Sequence, residues 1–243
     1  MDNPATVNGM DLELGPELAR SLEQAAQDRR VRAVVLTGAG GVFSAGGNLK
    51  AARDHLAAHP GRGAGEVFAA YSIWVNRVAL ALAGLPQPWV AAVRGAASGA
   101  GLGWLLLADM AVVAQDAKLV PGFLRVGLAP GAAVSLTLPL LVGRMRAAEI
   151  LLLNRRIAPR EARRLGLAHR VVPGLEVLPA AQELARGLAE GPARAQAATR
   201  RLLRRAVLKD LAGHLEQERQ AVIAAADDPE FAARLPRFFA RRR

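Results

Sequence analysis

The chain has 243 residues and 52% apolar content, enough for one large domain, or a core with an appendage, that buries a sizeable interior. It has no cysteine, which excludes disulfides and thiolate metal sites, and its four histidines (His55, His59, His169, His214) stand at no metal-ligand spacing. The net charge of +11 is uneven: residues 1–143 hold 11 basic and 10 acidic side chains, and residues 144–243 hold 21 and 11.

Two readings of the basic half stay open. It attracts phosphates of a polyanionic cofactor or nucleic acid, or it is an arginine-rich solvated helical face in which Ala and Arg replace other helix formers. The second is favoured. One tyrosine and three tryptophans make a poor stacking platform for single-stranded nucleic acid, which argues against that partner. No uninterrupted apolar run is long enough to cross a bilayer, so no membrane partner is expected. The polar start lacks a basic-then-apolar leader, so residence in the cytoplasm is the expectation.

In chain order, Leu14 to Gln27 reads as an amphipathic helix with Leu14, Leu18, Leu22 and Ala25 on one face, leading into a strand over Val31 to Leu36. A helix from about Ala51 to His59 is stopped by Pro60-Gly-Arg-Gly-Ala-Gly65, which suits a mobile flap. A helix over Glu66 to Leu85 ends before Pro86 and Pro88. The strand Trp89 to Val93, the helix Leu102 to Ala108 and short strands at Met110 to Ala114 and Lys118 to Val120 follow. The remainder reads as helices: Ala132 to Val142, Arg144 to Leu153, Pro159 to Leu165, Ala180 to Glu190, Pro192 to Lys209 and Leu211 to Ala226.

Two segments stand out. Val42-Phe-Ser-Ala-Gly-Gly-Asn-Leu-Lys50 and Gly95-Ala-Ala-Ser-Gly-Ala-Gly-Leu-Gly103 each follow a β-branched apolar run and are built of small residues, so each can turn sharply and present bare backbone N–H groups at a strand end. Two such turns form an oxyanion hole for a polarised thioester carbonyl, and one such donor is worth about 3–4 kcal/mol of barrier. Neither turn fits the dinucleotide fingerprint G-x-G-x-x-G.

With these turns, Val31-Arg-Ala-Val-Val-Leu-Thr-Gly38, Pro88-Trp-Val-Ala-Ala-Val-Arg-Gly95, Ala108-Asp-Met-Ala-Val-Val-Ala114, Gly127-Leu-Ala-Pro-Gly131 and Ala158-Pro-Arg-Glu-Ala-Arg-Arg-Leu-Gly-Leu167 complete a series over which the chain resembles the enoyl-CoA hydratase/isomerase (crotonase) superfamily. The resemblance implies an α/β fold, a crotonase-like spiral of ββα units. It implies a core over residues 1–175 and a helical C-terminal oligomerisation region over 176–243 that assembles trimers or their doubled hexamers. It also implies a strand hairpin ahead of Asn3 to Met10; the sequence opens almost at that segment, so the first sheet is expected to lack edge strands or to cover its edge another way.

By the same resemblance the oxyanion donors fall on the backbone amides of Ala45 and Ala100, the substrate is an acyl-CoA thioester, and no cofactor is bound permanently, CoA entering as part of the substrate. The family's carboxylates do not carry over. The two hydratase glutamate positions hold Gly103 and Phe123, and the aspartate that some isomerases and dehalogenases place after the proline falls on Gly131. From Ala33 to Gly143 the only acidic residues are Asp54, Glu66, Asp109 and Asp116. A general acid or base is worth roughly 10²–10⁴ in rate, so isomerisation, decarboxylation or slow hydrolysis is expected ahead of hydration.

Other candidates follow from position. Asn48 either hydrogen-bonds the thioester or caps the helix behind it. Gly99 shapes the second turn, and Gly131 borders the acyl pocket. Trp104 and Phe123, beside vacated acid positions, read as apolar walls for a bulky acyl group. Glu66, Tyr71, Trp74 and Asn76 follow the flap within reach of an acyl chain. Lys50 and the tail Arg241 to Arg243 are candidates for CoA phosphates. Ser98 and Ser135 have no histidine nearby in sequence and no nucleophile-elbow pattern; Asp109 and Asp116 read as caps. The alternatives to an enzyme are a catalytically silent acyl-CoA-binding or oligomeric protein and, more weakly, a nucleic-acid binder.

Overall fold

The computed structural model describes residues 1–240. Four strands, β1 (Val34–Thr37), β2 (Trp89–Val93), β4 (Met110–Ala114) and β6 (Arg170–Val172), form a parallel sheet in the order β1-β2-β4-β6, with Val35 opposite Val90, Ala91 opposite Ala111 and Val113 opposite Val171. β2 is buried along its whole length, which fits its unbroken apolar sequence, because a parallel strand in the middle of a covered sheet has no solvent face. β1 and β2 are each followed by one of the two glycine turns. A second parallel pair, β3 (Ala96–Ser98) with β5 (Lys118–Val120), stands at the C-terminal ends of β2 and β4.

Helices cover both faces. α8 (Val177–Glu190) turns Val177, Ala181 and Ala185 inward against β1, β2 and β4. This helix is therefore a layer of the core, and packing is continuous across residue 175, where a boundary was expected. On the other side α3 (Gly65–Gly84) lies between α1 (Leu14–Gln27) and α10 (Leu211–Asp227). α3 is long and apolar enough by composition to span a bilayer, yet it buries Phe68, Tyr71, Val75, Val78, Ala79 and Leu82 in the core, and its apolarity reflects neighbours on two sides. α4 (Ala100–Leu106) is buried throughout and packs on α5 (Val134–Val142), which runs into α6 (Arg144–Leu152). α2 (Leu49–Ala58), α7 (Pro159–Arg164), α9 (Ala193–Val207) and α11 (Pro229–Ala240) complete the chain.

α1, β2, β4 and β5 match the sequence reading residue for residue. β3, β6 and α11 were not foreseen; α11 begins at Pro229, beyond the last helix of the sequence reading, Leu211 to Ala226. The loop 60–65, expected as a mobile flap, is tied to the end of α10 by Ala64 N–H on the Ala226 carbonyl (3.0 Å) and Gly65 N–H on Asp227 Oδ1 (2.7 Å). Gly63 and Gly65 are required there, since an added Cβ at either would overlap the Asp227 side chain.

The basic C-terminal half is partly internal. Arg200 on α9 is buried, pairs its Nε with Asp109 Oδ2 at 2.6 Å and donates to the Leu85 carbonyl, while Asp109 also accepts Trp89 N–H at 2.8 Å. Burial holds the neighbouring Arg204 guanidinium below its ordinary pKa, with repulsion from Arg200 adding to the effect. Arg200 is thus a structural clamp, whereas Arg201 and Arg205 beside it are exposed.

Candidate active site

The two glycine turns are laced together by backbone hydrogen bonds: Phe43 N–H to the Arg94 carbonyl (2.9 Å), Ser44 N–H to Ala96 (2.9 Å) and Ser98 N–H to Ser44 (3.0 Å). The second half of each turn needs glycine for close approach. An added Cβ at Gly46, already at φ +96°, would lie 2.8 Å from the Ser98 carbonyl, and one at Gly101 would lie 2.7 Å from Ser44 Cβ. Both turns open onto one cavity of about 320 Å³, whose lining includes Ala45, Gly47, Gly99 and Ala100 from the turns, Phe68, Tyr71, Ser72 and Asn76 from α3, and Phe123, Gly131 and Val222.

The donors differ in one place from the expectation. Ala45 N–H is already bonded to the Val7 carbonyl at 3.1 Å, because the N-terminal segment, with Val7 at φ 58°, crosses beneath this turn. Ala45 is therefore corrected: its amide is a structural donor. Two residues on, Gly47 N–H has no acceptor among the described residues, while its neighbours Gly46 and Asn48 bond Ser44 Oγ (3.2 Å) and the Met10 carbonyl (3.0 Å). Ala100 N–H, at the first position of α4, also has none, as geometry demands of a helix's first turn. Gly99 before it holds φ +54° and spends its own N–H on the Val120 and Pro121 carbonyls. Each turn thus brings one free amide to the cavity, Gly47 from the first and Ala100 from the second.

Other expected residues divide. Gly99, Phe123, Gly131, Tyr71 and Asn76 line the cavity. Asn48 does not; its Oδ1 accepts Lys50 N–H (3.1 Å) and Ala51 N–H (3.3 Å), so it is the cap of α2. Trp104 is fully buried away from the cavity on the core face of α4. Lys50 Nζ donates to the Ala5 carbonyl at 2.9 Å and does not border the cavity. Its expected place at the pocket is taken by Lys118 and Arg125, both exposed on the cavity rim. Arg241 to Arg243 lie outside the described residues.

Among the described residues no carboxylate lines the cavity. The nearest buried acid is Glu218 on α10, which the sequence reading missed. Its Oε2 accepts Ala133 N–H (2.7 Å), and its Oε1 accepts Ser135 N–H (3.0 Å) and Ser135 Oγ–H (2.6 Å). It holds a turn in which Ala132 and Ala133 both take positive φ, 59° and 63°. His214 Nε2 also reaches Ser135 Oγ, at 2.8 Å. That grouping is no nucleophile triad, because the serine hydroxyl is spent on the carboxylate and the same imidazole nitrogen faces both partners. Arg219, one residue beyond Glu218, lines the cavity, and its hydrogen bond, followed by that of Gln220, pulls the Glu216 carboxyl down to about 2.

With this geometry in place, comparison with known proteins is informative. A family model described as Enoyl-CoA hydratase/isomerase matches residues 1–243. The chain is 34% identical over 235 residues to 4-chlorobenzoyl coenzyme A dehalogenase-2 of an Arthrobacter species, covering 97% of this chain and 84% of that one. It is 30% identical over 242 residues to 1,2-epoxyphenylacetyl-CoA isomerase of Escherichia coli K12, covering 100% and 91%. Its fold superposes on the crystal structure of an enoyl-CoA hydratase from Mycobacterium avium subsp. paratuberculosis K-10 with a TM-score of 0.85 at 29% identity, over 97% of this chain and 92% of that one.

Proposed function

The chain belongs to the enoyl-CoA hydratase/isomerase family, and from that premise we propose that it binds an acyl-CoA thioester with its carbonyl oxygen between the amides of Gly47 and Ala100 and stabilises the oxyanion or enolate that forms there. The observation that carries this reading is the pair of unpartnered N–H groups, one from each of two interlocked turns, at one cavity. Preorganised donors of this kind act on charge as it develops and need no reorganisation at the moment of reaction. CoA enters as part of the substrate, and Lys118 and Arg125 on the rim supply positive charge for its phosphates.

The reaction is one in which the substrate or water supplies the proton: isomerisation, decarboxylation or thioester hydrolysis ahead of hydration. Support comes from a lining without carboxylates, since adding water across a double bond needs a base to activate the water and an acid to deliver the proton. Phe68, Phe123 and Phe238 around the cavity favour a bulky or aromatic acyl group, in keeping with the chlorobenzoyl and phenylacetyl groups in the relatives' names. Self-association is part of the proposal, because α5 and α6 expose the large apolar side chains Leu140, Leu141, Met145 and Leu152, with Leu153 just beyond.

Calorimetry with benzoyl-CoA and free CoA tests the oxyanion claim. Proline is tolerated at the first position of a helix, so Ala100→Pro deletes one N–H with little other change. Wild type is expected to prefer benzoyl-CoA, and Ala100→Pro to lose about fivefold or more of that preference. Equal affinity of wild type for the two ligands would remove the proposal.

A further inference from the structure

Tyr71 is the one tyrosine of the chain, and its hydroxyl is placed at odds with ordinary stability. The side chain is 5% exposed, it lines the cavity, and its Oη is buried without a hydrogen-bond partner among the described residues. An unpaired buried hydroxyl costs about 1–3 kcal/mol, and phenylalanine would fill the same space without that cost. The backbone opposite is arranged for this phenol. A Cβ added at Gly47 would lie 2.9 Å from Tyr71 Oη and 3.3 Å from its Cε2, so the absence of a side chain at residue 47 leaves room for the ring against the peptide whose N–H is free.

We propose that the Tyr71 hydroxyl is a third hydrogen-bond donor to the substrate's thioester oxygen, acting beside the Gly47 and Ala100 amides and contacting the substrate directly. The proposal rests on the thioester reading above. The phenol is present as a donor. Burial pushes the phenol's ionisation well above its usual range, so the O–H keeps its hydrogen at neutral pH. A neutral donor strengthens its bond as negative charge grows on the thioester oxygen, which favours the enolate over the ground state. In a cavity lined by no carboxylate, such a donor adds to the polarisation that the two amides supply. Ser72 Oγ, the next residue on α3, is likewise buried, unpartnered and on the cavity wall, so this side of the pocket presents hydroxyls toward the ligand and not only apolar surface.

The experiment uses benzoyl-CoA carrying ¹³C at the thioester carbonyl, which has no α-proton and so binds without enolising. Three readouts are taken on wild type, Tyr71→Phe, Gly47→Ala and the double variant: affinity for benzoyl-CoA against free CoA, the bound carbonyl stretch in difference infrared, and the melting temperature of the free protein. Gly47→Ala keeps the amide of residue 47 but wedges the phenol away. Tyr71→Phe is expected to weaken benzoyl-CoA by about three- to tenfold, to leave free CoA unchanged, to move the carbonyl stretch back toward its value in water, and to melt no lower than wild type. Gly47→Ala is expected to lose the same preference, and the double variant no more than either alone, since both remove one interaction. An unchanged preference and an unmoved stretch in Tyr71→Phe, with Ala100→Pro still destructive, would overturn this inference alone. A wild type without preference for benzoyl-CoA would overturn the thioester reading and this inference with it. A Tyr71→Phe variant that lost affinity for both ligands and melted lower would show a structural role and also overturn it.

Discussion

Gly103 and Gly131 both stand at positions to which the family resemblance assigns a carboxylate, and the structure treats them in opposite ways. At Gly103, on α4, a Cβ would overlap the Ala132 carbonyl oxygen and lie 2.7 Å from Ala132 Cβ. At Gly131 a Cβ would meet only Val222 Cγ2 at 3.6 Å and Phe123 Cε1 at 4.0 Å, which is ordinary contact. The first site is closed by backbone, whereas the second is open to the cavity. The 131–135 turn occupies the space that a side chain at Gly103 would need, whereas at Gly131 there is room for a carboxylate.

Three variants sharpen this contrast. The largest effect is expected from Gly103→Glu, which must push back the Ala132 peptide and bury a charge without a partner; we expect loss of more than about 4 kcal/mol, read as insoluble protein or loss of the cooperative transition. Glu218→Ala should follow at about 3 kcal/mol, because it leaves Ala133 N–H and Ser135 N–H without their acceptor in the turn that closes Gly103. Gly131→Asp, in contrast, should melt within the equivalent of about 1 kcal/mol of wild type. A Gly131→Asp protein that is insoluble or lacks a cooperative transition, as expected of Gly103→Glu, would erase the distinction between the two sites.

The smallest effect concerns alkaline pH. Tyr71 titrates above its unfolded value because burial penalises the phenolate. Its contribution is fully present below about pH 10, the unfolded pKa of tyrosine, and is lost as pH rises toward the higher folded value. Tyr71→Phe should therefore lose less stability than wild type between about pH 9.5 and 11, measured by urea unfolding. Parallel curves for the two proteins would contradict the burial argument.

The fold was legible where pattern and length cooperate. α1 shows an apolar stripe over four turns, and the unbroken apolar run of β2 could only be a covered parallel strand. The paired glycine turns announced the site, since few other segments combine small residues with strand ends. What escaped the sequence was set by distant partners. Ala45 and Gly47 look alike as donors until Val7, thirty-eight residues upstream of Ala45, takes one of them. Trp104 stands next to a vacated acid position but, one residue along a helix, faces the core. Ser135 meets His214 across 79 residues, a pairing no local motif records. Asn48 carried both readings in its sequence context, and the hydrogen bonds to Lys50 and Ala51 decided for the cap.

The central claim is that two backbone amides hold the thioester oxygen, and a crystal structure with benzoyl-CoA bound tests it most directly. The account predicts the thioester oxygen at about 2.7–3.1 Å from both the Gly47 and Ala100 nitrogens, with the benzoyl ring among Phe68, Phe123 and Val222 and with Ala45 N–H still on Val7. A carbonyl oxygen turned away from both amides, or held by Ala45 after release of Val7, would contradict it.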